Sequence, residues 1–151
     1  MSYEESYKSL DMWSIGCMFG ELLQNPKRRP LFPGKDTLTQ LKLILDVHGK
    51  QEDDDIKGVI NAKTFVKKVA TKEKKPWNKI PYLKHVQDEA TLNLLDSLLA
   101  FNPEKRISVE DALRHPYFKE IFDEDDLKEY PKVDFIFDQK AASKDSNYCK
   151  S

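Results

Sequence analysis

An apolar segment at residues 9–23, SLDMWSIGCMFGELL, constrains the fold more than any other part of the chain. At helical spacing its apolar side chains cover nearly every face of the helix: Leu10, Met12, Trp13, Ile15, Cys17, Met18, Phe19, Leu22 and Leu23. A helix that is apolar on all sides normally lies at the centre of its protein. It is too short for a membrane span, which needs about 20 apolar residues. Gly16 and Gly20 leave one side of the helix without side chains, which predicts close packing of another backbone there. Asn25–Pro26 is expected to end the helix.

Three further segments have helical patterns. Asp36 is a predicted N-cap for a second helix that Gly49 ends. Asp88 opens a third helix, and Ser108 begins a capping box for a fourth helix over 109–114. The apolar stripes of the second and third helices are Leu38, Leu41, Ile44, Leu45 and His48, then Leu92, Leu95, Leu98 and Leu99. No segment shows a convincing sheet pattern, so the predicted fold class is all-α with four main helices.

The remaining segments are polar or short. Residues 50–81 suggest two short helical pieces, and 63–79 carry seven Lys and one Glu, which is typical of a solvated lysine-rich face. Residues 120–129 carry six acids and one Lys. Residues 131–137 alternate Val133, Phe135 and Phe137 and are expected to be extended. From 139 the tail is polar and is expected to be disordered.

Charge and cysteine usage exclude several kinds of function. The 25 Lys and Arg nearly cancel the 26 Asp and Glu, which argues against a nucleic-acid binder. The three His and two Cys lack the spacing of a metal site, and Cys17 and Cys149 do not suggest a disulfide framework, so a reducing compartment is expected. Cys17 is a poor nucleophile, because apolar surroundings raise the pKa of a thiol. No phosphate-cradling glycine loop occurs, and the residues alone show no active site.

Three segments together resemble the C-terminal half of a eukaryotic protein kinase: DMWSIGCMFGELL at 11–23, PLFPGKDTLTQLKLILDVHG at 30–49 and LDSLLAFNPEKRISVEDALRHPYF at 95–118. The D-x-W-S-x-G opening and the N-P-x-x-R…A-L-x-H-P-[YF] ending are fairly specific. Between them, QEDDDIKGVINAK and KKPWNKI resemble the insert of the mitogen-activated protein (MAP) kinases, closest to the extracellular-signal-regulated branch. The resemblance implies a partial kinase C-lobe over 1–138 (helices F to I), with the insert at about 50–81 and a C-terminal extension at about 119–138. Residues 139–151 are the polar tail.

The resemblance implies a parent enzyme that uses ATP and Mg²⁺ to phosphorylate Ser or Thr of proteins in intracellular signalling, in the cytoplasm or nucleus. The family's Gly-rich loop, V-A-I-K lysine, H-R-D…N, D-F-G and A-P-E are absent from this sequence. The chain is therefore expected to be a kinase fragment with no catalytic, cofactor-binding or metal-binding residues of its own. One alternative is a non-catalytic binding module that titrates kinase partners, and another is a helical structural domain without recognition.

Three residues match structural positions of the kinase motif. Asp11 matches an Asp that holds the catalytic loop in the family, and here it is expected to be solvated or to act as an N-terminal helix charge. Arg106 matches the Arg that pairs with the A-P-E Glu, and Trp13 matches a packing residue of the core. In the family one face of the first helix packs on elements that precede residue 1. A bare apolar face on 9–23 is therefore expected to favour self-association.

Two docking surfaces for peptides of kinase regulators and substrates follow from the resemblance. Asp123 and Asp126 fall where the family has an acidic patch that attracts Lys/Arg clusters, and the alternative is an ordinary acidic turn. Leu38, Leu41 and Phe65 match a pocket for Phe-containing motifs, with Phe65 replacing a Tyr. Thr37 stands where that branch has a Tyr. For the two leucines the alternative is core packing. No nucleic-acid or membrane partner is expected.

Overall fold

A computed structural model describes residues 3–24, 28–56 and 60–128 of the 151-residue chain, without the side chains of 3–6, 60–62 and 126. Five α-helices lie in these ranges: α1 Tyr3–Leu22, α2 Thr37–His48, α3 Ile60–Val69, α4 Glu89–Leu98 and α5 Val109–Leu113. Short 3₁₀ turns occur at Trp77–Lys79, Pro116–Phe118 and Glu124–Leu127. Strands are absent from these ranges, which confirms the all-α class.

Two of the predicted element boundaries differ from the structure. Helix α1 begins at Tyr3, six residues before the predicted start, because the apolar pattern that marked the helix begins only after its first turns. It ends at Leu22, and Asn25 and Pro26 lie outside the described residues. The described part of 50–81 contains one α-helix, α3, and a 3₁₀ turn rather than two short α-helical pieces. No described helix is long and apolar enough to span a membrane.

Other atoms approach Gly16 and Gly20 of α1 closely, as predicted, and the nearest of these atoms belong to side chains. A Cβ atom at Gly16 would lie 2.8 Å from Leu99 Cδ2, and one at Gly20 would lie 2.9 Å from Leu31 Cδ2. Leu98 Cβ of α4 also lies 3.0 Å from the Cβ position at Gly16, so α4 packs closely on this side of α1. Leucines of α4 and of the loop before α2 fill the space that the missing Cβ atoms leave.

Three apolar clusters hold the helices together. The largest joins α1 and α4 to the 31–32 and 77–86 segments, and Leu83, Leu95 and Leu99 in it are fully buried. The second joins α1, α4 and α5 through Met12, Leu94, Leu98 and Ala112. The third lies between α2 and α3 and consists of Leu45, Ile56, Val66 and Ala70. Burying a leucine side chain stabilises a fold by about 1.5–3 kcal/mol, so these clusters fix the helix positions.

Local hydrogen bonds begin the helices where the sequence predicts. Asp36 Oδ1 accepts from the Thr39 N–H at 2.8 Å, and Asp88 Oδ2 accepts from the Thr91 N–H at 2.7 Å. The N-cap of α5 is Ser108, whose Oγ accepts from the amide of Asp111 at 3.0 Å. These three N-caps are confirmed. Each satisfies an amide that the helix would otherwise leave unpaired.

Candidate docking site

The acidic turn, residues 120–128, is tied to α5 by one ion pair. The Arg114 guanidinium, directly after α5, donates from Nε to Glu124 Oε1 at 2.9 Å and from Nη2 to Glu124 Oε2 at 3.1 Å. This bidentate geometry fixes direction as well as distance. The hydrogen bond from Arg114 lowers the pKa of Glu124, so this carboxylate stays ionised as the pH falls. The two side chains are 47% and 66% exposed, so the pair is a surface contact that joins the turn to the end of α5.

Asp123, one of the two predicted docking acids, lies exposed at the start of this turn. Its Oδ1 accepts from the Asp125 N–H at 3.0 Å, and Asp125 pairs with Lys128 at 2.6 Å. The other predicted acid, Asp126, lies in the 3₁₀ turn Glu124–Leu127, and its side chain lies outside the described residues. The structure thus places the Asp123 carboxylate on the surface of an anchored turn.

The second predicted docking surface has one exposed side chain and two half-buried ones. Leu38 is 56% exposed in the first turn of α2, beside the exposed Thr37. Leu41, one turn later, is half-buried and packs against the cluster between α2 and α3. Phe65 is half-buried on α3. Core packing therefore accounts for Leu41 but not for Leu38.

Arg106 joins α1 to the turn that follows α4. Its Nη1 donates to the carbonyl and hydroxyl of Ser9, and its Nε and Nη2 donate to the Ala100 carbonyl at 3.1 and 3.0 Å. The guanidinium carbon lies 5.0 Å from the centroid of the Trp13 ring, a cation–π distance. Burial lowers the pKa of Arg106 from its ordinary value. The partners of these contacts are carbonyls, a hydroxyl and an aromatic ring, which hold the residue in a structural position.

The other two kinase-motif residues have different environments. Trp13 packs against the main core and stacks on Phe32, with ring centroids 5.9 Å apart. Asp11 is exposed in the middle of α1, eight residues after the helix begins. Its predicted role as an N-terminal helix charge is therefore wrong, because the helix dipole acts only within the first turn. The alternative expectation, a solvated carboxylate, agrees with its exposure.

His48 is a buried titratable residue that the sequence placed only on an apolar stripe. It is 4% exposed, and aromatic rings surround it, with centroid distances of 5.8, 5.9 and 6.1 Å to Trp13, Trp77 and Phe101. Within the described part of the chain its Nε2 has no hydrogen-bond partner. Burial, with a smaller effect of Lys74, lowers the pKa of His48 to about 4. The ring is therefore neutral in the folded protein at neutral pH.

Cys17 has the unreactive thiol that its apolar context predicts. Burial, followed by the nearby Glu21 carboxylate, raises its pKa to about 11. The thiol therefore stays protonated at neutral pH, and a protonated thiol is a weak nucleophile and a weak metal ligand. Across the described ranges, no group of three His, Cys, Asp or Glu side chains could hold a metal ion.

One side of α1 is exposed although it is apolar. Its five large apolar side chains are between 44% and 57% exposed: Tyr7, Leu10, Ile15, Met18 and Leu22. At 3.6 residues per turn they fall on one side of the helix, which we call the exposed face of α1. Helix α1 is therefore buried on one side only, whereas the sequence predicts a helix that is central on all sides. Self-association through this face stays a prediction, which sedimentation at rising protein concentration would check.

The lysine-rich stretch 63–79 is largely ion-paired on the surface. Lys74 pairs with Asp96 of α4, and Lys72 and Lys75 both pair with Asp46 of α2. These side chains are 40% exposed or more, so each pair contributes no more than about 1 kcal/mol. These pairs neutralise Asp46 and Asp96, and Lys67 pairs with Asp53, so neighbouring acids balance part of the positive charge of the stretch.

Comparison with known proteins agrees with the kinase resemblance of the sequence. The protein kinase domain family matches residues 1–118. The chain is 40% identical to mitogen-activated protein kinase mpkB of Aspergillus fumigatus, over 96% of this chain and 41% of that protein. It is 44% identical to mitogen-activated protein kinase mpk-1 of Caenorhabditis elegans, over 79% of this chain and 26% of the relative. The chain spans less than half the length of these relatives. It belongs to the protein kinase domain family, as a fragment whose homologues are MAP kinases.

Proposed function

We propose that this chain is the partner-docking part of a MAP-kinase-like Ser/Thr protein kinase. In this proposal the acidic turn binds Lys/Arg-rich docking peptides of kinase regulators and protein substrates. The observation that carries the proposal is the anchoring of the turn by the bidentate Arg114–Glu124 pair, with Asp123 exposed beside it. A peptide that meets a fixed turn loses less conformational entropy in the complex than one that must order a loose segment.

Charge explains why the partner would be basic. Six acids and one Lys occupy residues 120–129, so the segment attracts Lys and Arg side chains. Two of the acids, Glu124 and Asp125, already pair with Arg114 and Lys128. Asp123 and Asp126 are the two acids that match the family's docking patch. Recognition through exposed carboxylates is weak and salt-sensitive, because each exposed ion pair is worth about 0.2–1 kcal/mol.

Phosphoryl transfer belongs to the whole kinase in this proposal. The kinase family uses ATP and Mg²⁺, whose chemistry depends on positioning the phosphates, the metal and the acceptor hydroxyl. The described side chains do not fit such a site, because none of their carboxylate, His or Cys groups gathers as a metal-binding trio. We therefore assign this chain no step of the transfer. The cytoplasm and nucleus are the proposed compartments.

A second docking surface is proposed on α2. Leu38 is exposed where a Phe-containing motif would meet the pocket that the kinase resemblance implies, with Leu41 and Phe65 half-buried nearby in the α2 and α3 helices. The exposure of Leu38 is the observation that favours this surface. Thr37 in place of a Tyr removes aromatic contact area, so weak affinity is expected.

Neutralising the docking acids should weaken binding of a basic docking peptide. We expect Asp123→Asn with Asp126→Asn to raise the Kd by about 2- to 30-fold, since two exposed ion pairs are lost. Fluorescence anisotropy with a labelled Lys/Arg-rich peptide at 0.05 M salt measures it. Raising the salt to 1 M should reduce binding further, because the Debye length falls from about 10 Å at 0.1 M to about 3 Å at 1 M.

A matched control is available in the other acidic cluster. Glu52→Gln with Asp54→Asn removes the same charge from two exposed side chains and should leave the Kd nearly unchanged. Equal effects of the two double variants would mean diffuse attraction and would contradict a docking site at the acidic turn. Absence of binding at low salt would favour a helical structural domain without recognition.

A further inference from the structure

A surface groove lies between α2 and the chain at the end of α3, and it shares no residue with either docking surface. Its volume is about 450 Å³. Ligand sites usually have volumes of about 300–1,000 Å³, so the groove is large enough to hold side chains of a partner. Its lining includes Lys42, Leu43, Asp46, Val69, Thr71 and Lys72. Neither docking proposal uses this groove.

Helical spacing along α2 builds one wall of the groove, and the end of α3 builds the other. Lys42 and Leu43 lie four and three residues before Asp46, so all three side chains share one face of α2. Val69 is the last residue of α3, and Lys72 follows it by three residues. The groove therefore runs between a helix face and a chain segment that are far apart in the sequence.

The groove has an apolar floor and a charged rim. Leu45, which also lines it, is 1% exposed, and Leu43 and Val69 are half-buried. Lys42 and Lys72 are exposed. A cleft whose walls are of low polarity focuses the field of the charges that line it, and so raises the local concentration of oppositely charged groups.

The rim carries more positive than negative charge. Among the described residues that line the groove Asp46 is the only acid, and it is shared between Lys75 and Lys72, the latter at 3.4 Å. The hydrogen bond from Lys75 lowers the pKa of Asp46, so this carboxylate stays ionised and bound to Lys75. One carboxylate cannot neutralise two lysines, and Lys42 forms no ion pair within the described part of the chain. The groove is therefore cationic.

We propose that the groove between α2 and residues 69–72 binds an acidic peptide segment of a partner protein. Carboxylates of the segment pair with Lys42 and Lys72, and one apolar side chain lies on Leu43 and Val69. The partner has the opposite charge to the basic peptide proposed for the acidic turn, so the two surfaces select different partners. Exposed ion pairs make the binding weak and sensitive to salt, and the apolar contact adds surface that is removed from water.

Fluorescence anisotropy of the full chain tests the proposal, with a labelled peptide that has one leucine between two pairs of glutamates. We expect saturable binding at low salt. Lys42→Gln with Lys72→Gln should raise the Kd by about 2- to 30-fold, since two exposed ion pairs are lost. Lys79→Gln with Lys84→Gln is the matched control, because it removes the same charge from two exposed lysines outside the groove and should leave the Kd nearly unchanged.

Two further measurements locate the bound peptide. Thr71→Glu adds an acid to the exposed rim without touching the lysines, and it should also raise the Kd. In methyl NMR of the full chain, addition of the peptide should shift the signals of Leu43 and Val69. The signal of Val109, which is 47% exposed on α5 and lies outside the groove, should stay in place.

Four results would overturn the proposal. Equal weakening by the two lysine pairs would mean diffuse attraction, and a peptide with glutamine in place of each glutamate that binds as tightly would show that charge is not recognised. Shifts at Leu38 instead of Leu43 and Val69 would assign the peptide to the second docking surface. Absence of binding at low salt would leave the groove without a peptide partner of this class.

Discussion

Gly49→Ala is expected to lower the free energy of unfolding by about 2–6 kcal/mol. Gly49 ends α2 at φ 69° and ψ −156°, a region of backbone conformation that is nearly exclusive to glycine. A Cβ atom there would also lie 2.3 Å from the Lys74 amide nitrogen and 2.5 Å from the Glu73 carbonyl carbon. These are backbone atoms of the adjoining segment. The clash can therefore be removed only by moving the backbone, not by rotating a side chain.

Urea unfolding of Gly49→Ala and Gly16→Ala separates the two kinds of close contact. At Gly16 the new Cβ would lie 2.8 Å from Leu99 Cδ2, 2.9 Å from Leu99 Cγ and 3.0 Å from Leu98 Cβ, which are side-chain atoms of a fully packed region. Against this crowding, alanine is favoured over glycine inside a helix by about 0.5–1 kcal/mol. Gly16→Ala should therefore cost less than Gly49→Ala, with similar m-values. A Gly49→Ala protein as stable as the wild type, or more stable than Gly16→Ala, would contradict the described end of α2.

Acidification from pH 7 to pH 4 should remove about 3 kcal/mol of stability through His48 alone. The pKa of His48 is about 4 in the folded protein, against 6.5 for the exposed side chain. Above pH 6.5 the ring is neutral in both states and the contribution is complete. Between pH 6.5 and 4 the unfolded chain binds the proton more readily, so stability falls as the pH falls.

The charged groups that act on the ring are few and of mixed sign. Lys74 and Arg106 lower the pKa of His48 and Asp96 raises it, all by less than burial does. His48→Phe keeps an aromatic ring in the site and removes the titration. Denaturant midpoints at pH 7, 6, 5 and 4 should therefore fall more steeply for the wild type than for His48→Phe. Parallel curves for the two proteins would mean that His48 is accessible to protons in the folded state.

Sequence rules succeeded where the contacts are local. The N-caps Asp36, Asp88 and Ser108 each bond an amide three residues ahead, so their side-chain chemistry and spacing suffice to identify them. Gly49 ends α2 for an equally local reason, because the left-handed backbone there disfavours any side chain. The order of kinase-like motifs along the chain likewise needed no knowledge of packing.

Contacts between residues far apart in the sequence could not be predicted from it. Leu38 and Leu41 share a predicted apolar face, yet only Leu41 meets the cluster between α2 and α3. The rings around His48 come from α1, the 3₁₀ turn at 77–79 and the loop after α4, which no periodicity connects. The Arg114–Glu124 pair, which anchors the acidic turn, joins two elements across a loop. Such contacts follow from how the helices assemble.

The chain is expected to bind partners and to transfer no phosphate by itself, and a calorimetric titration of the full chain with Mg-ATP tests this most directly. The described residues offer no metal-binding trio, and the sequence holds no phosphate-cradling glycine loop. We expect no saturable heat with Mg-ATP from a sample whose helical circular dichroism shows that it is folded, while the same sample binds the basic docking peptide. Saturable one-to-one heat with Mg-ATP, accompanied by phosphate transfer to a Ser-Pro substrate, would contradict the account.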